Sequence, residues 1–420
     1  MVDLVVDEQQ AGTAGKSVPS GFKLTEVGVI PEDWDVKCIL DVSSKVTDGT
    51  HDTPKPIKEG IPFLTALHIK DNNIDFNNCY FLPENIHNEI YRRCNPEHGD
   101  ILMVNIGAGT ATTAVVNVHY EFSLKNVALI KPNINSNGYY INYALSFIKD
   151  NIVEAIISGG AQPFLSLSQI QKIKIALPTI YEQNLIANSL FNIDALIKKI
   201  NVLIIKKQAI KTATMQQLLT GKTRLPQFAL RDDGSAKGYK KNELGEIPED
   251  WIVSTFGAVM KIRHGKNQKN VECFDGEYPI YATGGQIGKA KAFLYNKPSV
   301  LIGRKGTIDK PRYTDQPFWT VDTLFYSEIS ESADAQFIYY RFCMIDWMQY
   351  NEASGVPSLN AGTIESIQTA LPSIDEQIAI AAILSDMDKE IQALQQRLDK
   401  TRQLKQGMMQ ELLTGKTRLI

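Results

Sequence analysis

GFKLTEVGVIPEDWDV at 21–36 returns as GYKKNELGEIPEDWIV at 238–253, with Gly28, Ile30, Pro31, Glu32, Asp33 and Trp34 reappearing as Gly245, Ile247, Pro248, Glu249, Asp250 and Trp251. A repeat this long and this literal fixes the architecture more firmly than local propensity does. A second block, ALPTIYEQNLIANSLFNIDALI from Ala176, returns as ALPSIDEQIAIAAILSDMDKEI from Ala370, and both copies close on LLTGKTRL, at Leu218 and Leu412. The opening motif repeats at an offset of 217 and the second block at 194, so the segment between them is 23 residues shorter in the second half. Each half is a constant frame around a variable insert. Just before the second block the halves still echo each other, Pro163 and Leu165 answering Pro357 and Leu359. The inserts themselves, at about 37–160 and 254–354, share little that aligns by eye.

The chain of 420 residues, 43% hydrophobic, is long enough for several folded domains and too apolar for disorder. Its net charge of −3 does not announce a nucleic-acid binder, so any such reading has to come from local charge. Cys38, Cys79, Cys94, Cys273 and Cys343 contain no C-x-x-C pair, which argues against a disulfide framework and fits a reducing cytoplasm. Acidic residues occupy the start where a signal peptide carries basic ones, and no stretch is apolar enough to span a membrane. The expected divisions are a flexible tail at 1–20, a first insert-bearing domain at 21–175, a central helix at 176–225, a linker at 226–237, a second domain at 238–369 and a terminal helix at 370–420.

Thr179 with Glu182, and Ser373 with Glu376, have the spacing of a capping box at a helix start. Beyond them Leu190, Ile193, Ile197, Ile200 and Ile204, and then Leu384, Met387, Ile391, Leu394 and Leu398, recur at intervals of three and four. That is the stripe of a helix packed along another helix, and core packing is all it implies. Each stripe thins at Lys207 and Lys211, or at Thr401 and Lys405, and Gly221 and Gly415 suit left-handed caps. Roughly forty residues make a rod of about 60 Å. Two rods packed antiparallel would hold two readers apart on one duplex, and removing four residues near Lys207 to Lys211 is expected to shorten an untouched gap by one or two base pairs, about 6 Å.

From Val253 to Phe325 there are eleven Lys/Arg against six Asp/Glu, in a stretch that alternates β-favouring runs with Gly and Pro turns. RHGKNQK at 263–269, TGGQIGKAK at 283–291 and GRKGTIDKPR at 303–312 bring Arg263, Lys266, Asn267, Lys269, Gln286, Lys289, Arg304, Lys305, Lys310 and Arg312 to loops. These side chains bind phosphates and read base edges; singly, each also serves as an ordinary solvated residue. In the first insert VTDGTHDTPKPIKEG at 46–60 and VNIGAGTATTAV at 104–115 look like exposed polar loops, which makes Thr50, His51, Lys55, Asn105, Thr110 and Thr112 its candidates.

Catalytic motifs are missing. The GKT at 221–223 and 415–417 follows a helix and has Gln216 or Gln410 where a phosphate loop needs its first glycine. Asp35-Val36-Lys37 resembles the tail of a metal-dependent nuclease signature, but the second copy reads Ile252-Val253-Ser254. The six histidines form no H-E-x-x-H and no close pair with cysteine, so no metal site is expected. GAGT at 107–110 is too short for a cofactor-binding glycine loop, and no Asn-Pro-Pro-aromatic motif of an adenine methyltransferase occurs. What remains is a reader without a catalyst, or a two-module scaffold that binds other proteins.

The layout of G-x-x-x-x-E-x-G-x-I-P-E-D-W, variable domain, L-P-x-I-x-E-Q helix and L-L-T-G-K-T-R-L, written twice from about Gly21, resembles the specificity subunits of type I restriction–modification systems. YPIYATGGQIG, LIGRKGTI and PFWTVDTLF look like one recurring type of target recognition domain in that family. The resemblance implies an α+β fold of two similar halves, each a mixed α/β target recognition domain followed by a long helix, the helices packing as an antiparallel coiled coil with pseudo-twofold symmetry. It implies that the chain is non-catalytic, that it reads a bipartite site on double-stranded DNA, and that it docks two methyltransferase subunits and, in restricting complexes, two restriction subunits. S-adenosylmethionine, ATP and Mg would then be used by those partners, with no cofactor in this chain.

Overall fold

The computed structural model describes residues 18–107, 109–157 and 164–419. Most of the expected N-terminal tail, Ala108 of the GAGT stretch and Pro163 lie outside them. Two compact units emerge, one made of 1–200 with 397–420 and the other of 201–396. The division falls within both long helices, Ile180–Leu218 and Ile374–Leu412. No helix among the described residues is long and apolar enough to cross a membrane.

Each unit pairs a stretch of one long helix with a stretch of the other, running antiparallel. In unit 1 Ala187 and Leu190 share a core with Leu412 and Leu413, and further along Asp194 meets Lys405 at 2.6 Å. In unit 2 Lys207 meets Glu390 at 2.7 Å and Lys211 pairs with Asp388, while Leu218 and Leu219 join Ile380, Ala381 and Leu384. The lysines that thin the apolar stripe therefore continue the helix contact as ion pairs. Each ammonium also lies over a tyrosine ring, Lys405 over Tyr143 at 5.5 Å and Lys211 over Tyr340 at 5.3 Å, and each tyrosine hydroxyl donates to the same aspartate at 2.8 Å. Burial and the neighbouring aspartate together push both phenols well above the usual tyrosine range.

The helix ends show why the two repeated motifs are constant. Gly221 and Gly415 take φ of +71° and +67° after their helices, as a left-handed cap requires. A Cβ on Gly221 would lie 2.5 Å from Pro248, and one on Gly415 would lie 2.3 Å from Pro31. The turn thus seats on the proline and tryptophan of an I-P-E-D-W motif, and in both units it is the motif opening the other helix's half. Beside this contact Arg418 binds Glu182 and Asp33 in unit 1, and Arg224 binds Glu376 and Asp250 in unit 2, every bond between 2.6 and 3.2 Å. The indole N–H of Trp34 donates to Glu182 at 3.1 Å and that of Trp251 to Glu376 at 3.3 Å.

The expected capping box is accordingly only half made. Thr179 Oγ1 accepts from the Glu182 amide at 3.3 Å and Ser373 Oγ from the Glu376 amide at 3.4 Å. Both carboxylates turn to arginine and indole instead of the helix start. They are 2% and 1% exposed, and a buried carboxylate requires a charged partner more than a backbone amide requires a cap.

The inserts, which share little sequence, have one topology. Unit 1 carries an antiparallel sheet in the order Thr113–Val115, Ile101–Val104, Val127–Pro132, Ser43–Asp48, and unit 2 one in the order Arg312–Thr314, Ser299–Gly303, Leu324–Ile329, Met260–His264. A second sheet places Ile61–Thr65 parallel to Ser123–Lys125 and antiparallel to Tyr80–Leu82. Its counterpart places Tyr278–Ala282 parallel to Trp319–Thr320 and antiparallel to Gly285–Ala290. The two similar halves that the resemblance implies are thus observed despite the dissimilar sequences: alternative side chains satisfy the same buried strands, such as Ile101–Val104 and Ser299–Gly303, whose residues are all buried.

Candidate nucleic-acid interface

Corresponding strand ends present corresponding loops. After Ser43–Asp48 the chain turns through Gly49 and Thr50, whose amides donate to Val127 O at 3.1 Å and Leu124 O at 2.9 Å. After Met260–His264 it turns through Gly265 and Lys266, whose amides donate to Leu324 O at 3.2 Å and Thr320 O at 2.8 Å. A Cβ at either glycine would come within 2.0 Å of a carbonyl oxygen, so neither turn admits a side chain. Asn105 and Arg304 likewise coincide: their carbonyls accept from Leu165 at 2.8 Å and from Leu359 at 2.9 Å. Leu165 and Leu359, which echo each other in sequence, are both buried and hold the same place.

Unit 2 presents its cations outward. Lys266, Lys269, Lys289, Arg304, Lys305 and Lys310 are exposed, and among the described residues none of them has a carboxylate at ion-pair distance. Asn267 and Gln286 are exposed beside them, with Asn267 Oδ1 accepting from the Lys269 amide at 2.9 Å and Gln286 Nε2 donating to Gly288 O at 3.3 Å. All three arginine candidates are engaged within the protein, Arg304 while still exposed, donating from Nη1 to Asp322 O at 3.3 Å. Arg263 pairs with Glu328 at 2.8 Å, and Arg312 is half-buried, donating from Nη2 to Gly284 O at 3.1 Å, with its Nε buried and unpartnered among the described residues. Arg312 thereby braces the Gly284–Gly285 turn.

Unit 1 is different in chemistry. His51 is exposed, with Nε2 3.1 Å from Asp48 and Nδ1 2.9 Å from Asn126. Thr50 Oγ1 accepts from the Asp52 amide at 3.1 Å, and Lys55 is exposed. The 104–115 stretch is not the exposed loop its composition suggested. Asn105, Thr110 and Thr112 are 3%, 3% and 7% exposed, and Thr110 Oγ1 donates to Gly107 O at 2.7 Å. The turn at Gly107, φ +93°, folds the threonines back onto the sheet, leaving Ile106 and Gly109 outward. Asn105 Oδ1 is buried without a partner among the described residues.

A cavity of about 530 Å³ lies at the Arg304 end of the unit 2 sheet, lined by His264, Arg304, Lys305, Glu352, Val356 and Asn360 among others. The segment 352–360 was missed by sequence reasoning; its one signal was the echo between 159–170 and 354–364. It is tied to the Arg304 turn by the Leu359 bond and by the Gly306 amide donating to Pro357 O at 2.8 Å.

His87 has a hydroxyl and an acid on its two nitrogens, Ser123 Oγ at 2.9 Å and Glu121 at 3.1 Å. Ser123 is fully buried, however, so this trio pins the helix Glu84–Arg93 to the sheet rather than meeting a substrate. Among the described residues no three His, Cys, Asp or Glu side chains group as a metal site.

Comparison with known proteins agrees with this layout. The family described as "Type I restriction modification DNA specificity domain" matches residues 31–206 and 248–402, one match for each half. The chain is 28% identical over 436 aligned residues to the provisional MjaX type I restriction enzyme specificity subunit of Methanocaldococcus jannaschii, covering 95% of this chain and 97% of that one. It is 25% identical over 430 residues to the MjaVIII specificity subunit of the same organism, covering 93% and 94%. The crystal structure of a type I restriction–modification S subunit from M. genitalium shares the fold, with a TM-score of 0.63 at 15% identity over 90% of this chain and 96% of that one. Two matched halves, each an insert domain and a long helix, place the chain in the family of type I restriction–modification DNA specificity subunits.

Proposed function

We propose that this chain reads a split DNA site, one half through the insert of each unit, and presents that site to adenine-methylating partners. The observation that carries the reading is the shared topology of the two inserts. Equivalent turns, Gly49–Thr50 with Gly265–Lys266 and Asn105 with Arg304, emerge from equivalent strand ends but bear different side chains. A constant scaffold with a varied edge is what two different half-sites require, because base-edge contacts specify while phosphate contacts position.

In the second unit the exposed cations Lys266, Lys269, Lys289, Arg304, Lys305 and Lys310 are the proposed DNA contacts, with Asn267 and Gln286 beside them. Arg263 and Arg312 are assigned to supporting the edge. In the first unit Thr50, His51 and Lys55 are proposed, whereas buried Asn105, Thr110 and Thr112 act through the fold of their turn. The paired helices are proposed to set the gap between half-sites, and the insert-bearing domains to extend over 21–175 and 238–369. Two methyltransferase subunits bound by the chain supply S-adenosylmethionine chemistry, and restriction subunits, where present, use ATP and Mg, all in the cytoplasm where the DNA is.

The test is a salt titration of duplex binding by the complex of this chain with its modification subunits. Binding is expected to weaken linearly in log–log form, and Arg304→Ala with Lys305→Ala is expected to lower the slope by about 1 to 2. A slope unaffected by the double substitution excludes those residues from the interface. Binding that depends on neither salt nor this chain excludes the reader.

A further inference from the structure

The cavity beside Arg304 brings together an acid and two cations that do not neutralise each other. Arg304 and Lys305 line it from one segment, Glu352, Val356 and Asn360 from the other, and no ion pair among the described residues joins the two. Thr363 Oγ1 donates to Glu352 Oε1 at 2.6 Å, fixing the carboxylate; Oε2 has no hydrogen-bond partner among the described residues. Glu352 and Val356 are exposed, and the segment that carries them is bonded through its backbone to the turn that carries the cations.

We propose that Glu352 is a specificity-determining residue of the second half-site, accepting a hydrogen bond from a cytosine amino group while Arg304 and Lys305 hold the adjoining backbone. This assignment rests on the DNA-reading function proposed above. A carboxylate repels phosphate and accepts only, so among DNA groups it selects an exocyclic amine; of the two in the major groove, adenine N6 lies beside the acceptor N7, which disfavours an anion, and cytosine N4 is the better partner. The cations beside it take the phosphates, which carry no sequence information. A carboxylate with one oxygen fixed and the other open is set to accept without paying to reorient.

The experiment maps methylated adenines in a methylation-free host carrying the modification subunit and either the wild-type chain, Glu352→Gln or Thr363→Ala. Gln retains an oxygen for Thr363 but turns a donor NH2 to the base, which cannot accept from cytosine N4 and donates to adenine N7 instead. The wild type is expected to require cytosine at one position of the second half-site. Glu352→Gln is expected to admit adenine there, a relative change of about tenfold or more, with the first half-site and the gap unchanged. Thr363→Ala, which removes the internal bond and leaves the carboxylate, is expected to keep the cytosine. A second half-site without cytosine, a motif unchanged by Glu352→Gln, or the same relaxation from Thr363→Ala overturns the assignment while leaving the reader function standing. A wild-type complex that assembles and yields no motif overturns both.

Discussion

The Arg418 guanidinium donates to both oxygens of Glu182, at 2.7 and 2.9 Å, across 236 positions of sequence. The last turn of the chain thereby completes the first unit, as Arg224 completes the second through Glu376. Because Glu182 is 2% exposed, deleting the cation leaves a buried charge. Arg418→Ala is expected to cost about 3–5 kcal/mol of unit 1 stability, and much less when combined with Glu182→Gln. Denaturant unfolding of both variants checks this; equal losses from the single and double substitutions contradict it.

Acid should loosen the equivalent clasp in unit 2. Burial tends to raise the Asp250 carboxyl, but hydrogen bonds from Arg224 and Lys237 outweigh it and hold the group at about 2, below its ordinary 3.8. A carboxyl lowered on folding contributes stability that is complete above the unfolded value and disappears as pH falls through the folded one. Thermal unfolding between pH 4 and 2 is therefore expected to fall more steeply for the wild type than for Asp250→Asn. Parallel curves refute the assignment.

How far the sequence alone could be read divides along the same line. The frame was legible because I-P-E-D-W and L-L-T-G-K-T-R-L repeat almost letter for letter, and the helices because their stripes are periodic. The clasp was not, although Asp33, Glu182 and Arg418 each have a charged counterpart at the repeat offset; those repeated charges were the signal. The likeness of the inserts came from the family resemblance and not from their own residues, because buried strands accept many apolar side chains and preserve little beyond Gly49 and Gly265. Asn105, Thr110 and Thr112 were misplaced because a Gly/Thr-rich composition reads as surface, and only the tertiary turn at Gly107 tucks them in.

The close approach at those glycines gives a test specific to one half. A methyl group at Gly265 would meet the Val321 carbonyl at 2.0 Å, so Gly265→Ala must displace the Lys266 turn. Loss of discrimination in the second half-site, with the first retained, is expected from methylation mapping, and the reverse from Gly49→Ala. Loss of the same half from both variants contradicts the equivalence of the turns.

Antiparallel pairing also revises the spacer experiment. Removing four residues near Lys207 to Lys211 alone would break the contacts with Glu390 and Asp388. Matched deletions of 203–206 and 393–396 take one turn, about 6 Å, from each helix while keeping partners opposed. The untouched gap in the methylated motif is expected to shorten by one or two base pairs; an unchanged gap in an active complex contradicts the spacer role.

The central claim is met most directly by sequencing methylated adenines genome-wide after co-expressing this chain with its modification subunit in a methylation-free host. The predicted result is one split motif with a fixed gap, methylated less completely at every site when Arg304 and Lys305 are both replaced by alanine. A continuous motif, or methylation unaffected by that replacement, would contradict a reader that holds the backbone beside its second half-site with those residues.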